Sequence, residues 1–156
     1  MLEYATSIWS PHKKCDIDQI EKVQRYFTRR VLKYSNQCYK ERIVLLNLQS
    51  LKLRREIFDL CLVYKILNGL VEFNETDFFT KNNSNTRSNN SFKLQTQHSR
   101  IDIRHKFFSN RIIHNWNSLP DFITNSSNLT NFRNQLNLSQ IIQSLDYSEF
   151  LANTVN

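Results

Sequence analysis

Leu51-Lys52-Leu53-Arg54-Arg55-Glu56-Ile57-Phe58-Asp59-Leu60-Cys61-Leu62-Val63-Tyr64-Lys65-Ile66-Leu67-Asn68-Gly69 is the stretch that decides the fold. Leu53, Ile57, Leu60, Tyr64 and Leu67 recur at three- and four-residue steps, the period of a helix face. Phe58, Cys61, Leu62, Val63 and Ile66 add apolar surface elsewhere, so this helix is expected to be buried on more than one side. Ser50 stands where an N-cap belongs, and Gly69 where a left-handed C-cap wants glycine. Gly69 is the only glycine in 156 residues. Phosphate-cradling loops need several, so Walker A, dinucleotide-binding and kinase-type loops are excluded. Tight primed hairpin turns also lean on glycine, which argues against an all-β fold. The chain is predicted to be mainly α, a single helical-bundle domain with at most a small two-stranded β-ribbon.

Further helices flank this one. Toward the N-terminus, residues 39–47 read as a short helix, and residues 13–34 as an amphipathic one with Ile17, Ile20, Val23, Phe27 and Val31 on its buried face. Ser10-Pro11 closes a short apolar piece before it. Residues 1–70 thus form one helical part. Residues 71–91 end in an Asn/Ser-rich run and are expected to be a mobile polar loop, with Phe78-Phe79 anchoring its start on the core. Phe92–Gln95 alternates, as do Ile101 and Ile103, and these two pieces are predicted to pair as the ribbon. A helix over Arg104–Asn117 presents Phe107, Phe108, Ile112 and Trp116, and Leu119-Pro120 ends it. Ser127 caps a helix with Leu129, Phe132 and Leu136, completing a part over 92–137. The tail, 138–156, carries Ile141, Ile142, Leu145, Phe150 and Leu151 and is read as a frayed terminal helix.

Lys and Arg number 21 against 14 Asp and Glu, a net charge of +7 at pH 7. Such a balance favours polyanions as partners. Cys15, Cys38 and Cys61 form no CxxC pair and are odd in number, which points away from a zinc site or disulfide framework and toward a reducing compartment. The N-terminus has no basic, apolar signal-peptide pattern, and no run is long enough to span a membrane. An intracellular protein, nuclear or cytoplasmic, is expected, with no membrane or small-molecule partner.

No motif for catalysis emerges. The carboxylates are scattered, with no Asp-Asp pair, and His12, His98, His105 and His114 stand alone. Catalytic and metal-ligating residues are therefore predicted to be none. The basic residues are better organised. Lys22, Arg25, Arg29 and Lys33 fall within about 80° of arc on the 13–34 helix, almost opposite its apolar set, with Arg30 nearby. Residues 80–111 hold seven Lys/Arg against the single acid Asp102. Such clustering is the pattern of a surface that follows a phosphate backbone. The candidate nucleic-acid contacts are Lys22, Arg25, Arg29, Arg30, Lys33, Arg100, Arg104, Lys106 and Arg111. Tyr26, Phe27, Phe92, Phe107, Phe108 and Trp116 lie beside these bases, but Phe27, Phe107, Phe108 and Trp116 are assigned to the core. A helical module that docks on protein, or a metal nuclease using scattered acids, are the alternatives.

Leu2-Glu3-Tyr4-Ala5, Trp9-Ser10-Pro11 and Ile20-Glu21-Lys22-Val23-Gln24-Arg25 with Phe27-Thr28-Arg29 stand in order along the chain. Leu60-x-x-Val63-Tyr64-Lys65-Ile66-Leu67-Asn68-Gly69, Arg100-Ile101-Asp102-Ile103-Arg104, Phe107-Phe108-Ser109-Asn110-Arg111 and Trp116-Asn117-Ser118-Leu119-Pro120 follow. Together they resemble the region after the catalytic core in non-LTR (LINE-type, jockey-like) retrotransposon reverse transcriptases, over residues 2 to about 137. The resemblance implies the thumb and post-palm part of an RNA-directed DNA polymerase, gripping RNA or DNA backbone beside a palm. That palm would carry the metal-binding aspartates, and its aromatic-Ala-Asp-Asp motif does not occur in this sequence. Hence the chain alone is expected to be no enzyme and to hold no cofactor, Mg²⁺ belonging to the missing palm. A decayed element copy without activity is a further expectation of the same resemblance.

Overall fold

The computed structural model describes residues 3–33, 36–82, 92–98 and 100–138. Eight helices lie among them: α1 (Lys14–Val31), α2 (Tyr39–Leu45), α3 (Leu51–Leu67), α4 (Glu75–Phe78), α5 (Asp102–His105), α6 (Phe108–Asn117), α7 (Asp121–Thr124) and α8 (Leu129–Leu138). The protein is mainly helical, as its single glycine and its helical periodicities require. The Asn/Ser run 83–91 and the tail 139–156 lie outside the described residues, and with them the expected mobile loop and frayed helix.

α3 is the axis. Ser50 Oγ accepts from the Leu53 amide at 3.2 Å and so starts the helix. Gly69 ends it at φ +64°, its amide donating to the Ile66 carbonyl while Leu70 donates to Lys65. That pair of bonds is a Schellman cap, which satisfies carbonyls the helix would leave open. Around α3, helices α6 and α8 close the core. Leu60, Val63, Tyr64, Ile112, Ile113, Trp116, Phe132 and Leu136 are all buried in one cluster. Tyr64 stacks on Phe132 with ring centroids 4.5 Å apart, and Trp116 leans on the same ring at 5.8 Å. Both polar tips find acceptors: Tyr64 Oη donates to the Ser126 carbonyl at 2.6 Å and Trp116 Nε1 to the Phe92 carbonyl at 2.8 Å.

Four expectations need correction. The ribbon does not pair Phe92–Gln95 with Ile101 and Ile103. Leu94 instead forms one antiparallel bridge with Lys81, while Ile101 and Ile103 are exposed beside or within α5. Leu94 is pinned there because the Asn117 amide grips both its backbone N–H and its C=O, at 2.9 and 2.8 Å. The helix read over Arg104–Asn117 is broken, since Phe107 takes an extended conformation (ψ 150°) as the residue before α6 and is exposed. Phe79 anchors on Phe108 as expected, rings 5.9 Å apart edge to face, but short α4 precedes it inside the supposed loop. Lastly, α8 is capped by Asn128, whose Oδ1 accepts from the Asn131 amide at 2.8 Å, and not by Ser127.

Candidate nucleic-acid interface

α1 carries the first basic block, and its seating differs from expectation. Its apolar stripe does not face the core: Val23, Phe27 and Val31 are 49%, 56% and 47% exposed. The helix docks instead through polar Glu21, Gln24 and Thr28, all buried. Glu21 accepts from the Tyr39 hydroxyl and, at 3.1 Å, from the Leu51 amide, placing a carboxylate at the N-terminus of α3 where the helix dipole favours it. Burial, together with the Glu21 carboxylate, pushes the Tyr39 hydroxyl far above its ordinary pKa. Gln24 Nε2 donates to the Gln49 carbonyl at 2.8 Å, and Arg42 Nε to Thr28 Oγ1 at 3.3 Å. Three sectors result around α1: basic and exposed, polar and buried, apolar and exposed.

In the basic sector, Lys22, Arg25 and Arg29 are exposed, as are Arg30 and Lys33. Arg25 pairs with Asp18 at 3.5 Å on the surface and lies over the Tyr39 ring, 5.3 Å from its centroid. Arg30 donates to the Tyr26 hydroxyl at 3.1 Å. Lys33 sits just past the helix at φ +50°.

The second block lies around α5. Arg100 and Arg104 are exposed. Lys106 pairs with Asp102 one helical turn away, and this ammonium, with His12 and His105, holds the Asp102 carboxyl below its usual range. His12 immediately precedes α1, so this block lies toward the N-terminal end of that helix. Arg29 lies roughly 20 Å further along the axis at 1.5 Å per residue. The two blocks therefore flank α1 lengthwise rather than forming one compact patch.

Arg111 belongs elsewhere. Its guanidinium grips Asp59 Oδ2 through Nη2 at 2.7 Å and Nε at 3.1 Å, and donates to the Thr6 and Ser7 carbonyls at 3.0 and 3.3 Å. With Nη1 on the Lys106 carbonyl and Phe108 beneath it, its donors are committed to tying α6, α3 and the N-terminal turn together. We therefore remove Arg111 from the phosphate candidates. Asp59, interrupting the apolar run from Ile57 to Tyr64 on α3, was the sequence signal for such a buried partner. Arg55, buried one turn before it under the Trp9 ring at 4.9 Å, was another. Of the aromatics, Phe108 and Trp116 are core as expected, whereas Phe27 and Phe107 are exposed.

Among the described residues, no three His, Cys, Asp or Glu converge on a metal-sized site. No described helix is long and apolar enough to cross a membrane. Comparison of the chain with protein-family models, with curated proteins and with solved structures finds no match.

Proposed function

We propose that this chain is a non-catalytic nucleic-acid grip, the C-terminal, post-palm portion of a retrotransposon-type reverse transcriptase, holding template–primer backbone. The observation that carries the reading is the exposed basic sector of α1, continued at its N-terminal end by Arg100, Arg104 and Lys106. Exposed guanidinium and ammonium groups strung along a helix suit a run of phosphates, and a net charge of +7 supplies long-range attraction. The sequence resemblance supports the polymerase context. The basic residues of α1 contact no base edges in this reading, so binding is independent of sequence.

Titrating fluorescent single-stranded and duplex oligonucleotides at several salt concentrations tests the grip. If about five bases touch phosphates, log affinity falls with log salt at a slope near −3.5 for single strands or −4.5 for duplex. Lys22→Glu with Arg29→Glu abolishes most of that affinity, whereas Arg111→Lys leaves the slope unchanged in protein that stays folded. Absence of binding at low salt overturns the reading. The chain alone extends no primer with Mg²⁺ present, and extension by the purified chain would remove the non-catalytic assignment.

A further inference from the structure

The basic sector of α1 has an aromatic ring in its midst. Tyr26 is 59% exposed. Around the helix it lies about 40° from Lys22, about 60° from Arg29 and about 40° from Arg30. Along the helix, Lys22 is one turn before it and the two arginines one turn after. Arg30 holds the ring in place. Its Nη1 donates to the Tyr26 hydroxyl at 3.1 Å, and its guanidinium carbon lies 5.5 Å from the ring centroid. The partner in that contact is a neutral phenol, so the contact leaves the guanidinium charge intact. Asp18, two turns back, pairs with Arg25.

We infer that Tyr26 is a stacking platform for one unpaired base, so that the chain takes single-stranded nucleic acid in preference to duplex. The inference rests on the grip reading above and deepens it. A base laid on the ring has a phosphate on each side, and each phosphate meets a cation: Lys22 toward one end, Arg29 or Arg30 toward the other. Restraint of the ring by Arg30 lowers the entropy lost when a base settles on it. In a duplex the bases are already stacked on one another, and Tyr26 offers them nothing without unstacking. Charge alone would favour the duplex, whose phosphates are denser along the axis. Stacking on Tyr26 reverses that order. Phe27, about 100° further round α1, borders a groove with Val23 and Glu3 and is assigned no base.

Fluorescence anisotropy on the full chain compares oligothymidylate, an abasic strand of the same length and the corresponding duplex at one salt concentration. Oligothymidylate should bind about 5- to 150-fold more tightly than the abasic strand, the range for one stacked base, and more tightly than the duplex. Tyr26→Ala should bring the two single strands level and leave the salt slope as in the native chain, because no phosphate contact is removed. Tyr26→Phe keeps the ring and should keep most of the preference, and Phe27→Ala should keep all of it. Equal affinity of the native chain for oligothymidylate and the abasic strand overturns the stacking and leaves the grip standing. So does tighter binding of the duplex, a preference that survives Tyr26→Ala, or one that disappears in Tyr26→Phe. Absence of binding to all three ligands at low salt is a separate failure, that of the grip itself, and removes the stacking with it.

Discussion

Buried charged and polar residues decide how the helices of this protein meet. Glu21 is the clearest case, since one carboxylate serves the Tyr39 hydroxyl on α2 and the Leu51 amide at the start of α3. Glu21→Ala strands both donors in a buried place, which costs about 2–3 kcal/mol. Urea denaturation measures this, and Glu21→Gln, which keeps an acceptor, should recover about half. A loss under about 0.5 kcal/mol, the range of a surface substitution, would show that water replaces the carboxylate freely. Asp59 makes a prediction in pH. Burial raises its pKa above 3.8, against the pull of Arg111 and Arg55. The folded chain therefore keeps this proton to a higher pH than the unfolded chain. Its contribution to stability is complete below 3.8 and is lost as pH rises through the raised value. Stability of the native chain relative to Asp59→Asn should thus fall as pH rises from 3.8 through the raised value. Denaturation midpoints of both proteins across that range test the sign; a relative stability that climbs would mean the Arg111 pairing outweighs burial.

Elements with strong end signals were legible to their boundaries, and α1 and α2 were legible from periodicity alone. Ser50 and Gly69 bracket α3 within one residue of its observed limits. Gly69 stands at φ +64° with nothing within 4 Å of the place a Cβ would occupy. Gly69→Ala therefore meets backbone strain without a clash and should cost about 1 kcal/mol, read as a shift in thermal midpoint. A larger loss would require a contact the geometry does not contain. The break between α5 and α6 carries no such punctuation, because Phe107 turns the chain without Gly or Pro. Periodicity across 104–117 consequently read as a single helix. On α1, periodicity found the apolar and basic sectors correctly as sectors. It could not tell which one faces the protein, because the buried sector between them is made of Glu, Gln and Thr, residues that hydropathy assigns to solvent. The phosphate candidates suffered similarly at Arg111, since a lone cation in a basic block looks the same whether it meets a phosphate or Asp59.

The molecule as a whole joins two kinds of packing, and its stability should be uneven for that reason. Around α3, the seam with α6 and α8 is apolar and aromatic, with Val63, Trp116, Phe132 and Leu136 almost wholly withdrawn from water. The seam joining α1 and α2 to α3 is polar, held by Glu21, Gln24, Thr28 and Arg42. Hydrogen bonds in such a seam replace bonds to water and return little net free energy, about 1 kcal/mol each, whereas withdrawn apolar area stabilises without exchange. α1 and α2 should accordingly open together before the core does. Native-state hydrogen exchange at increasing denaturant resolves the two. Amides of α1 should show an opening free energy below the global value and a smaller dependence on urea, while amides of α3, α6 and α8 exchange through global unfolding. Equal protection and equal urea dependence in α1 and α3 would show a single cooperative unit. That outcome would mean that the hydrogen bonds of Glu21, Gln24 and Thr28 hold α1 to α3 as firmly as apolar packing holds α6 and α8.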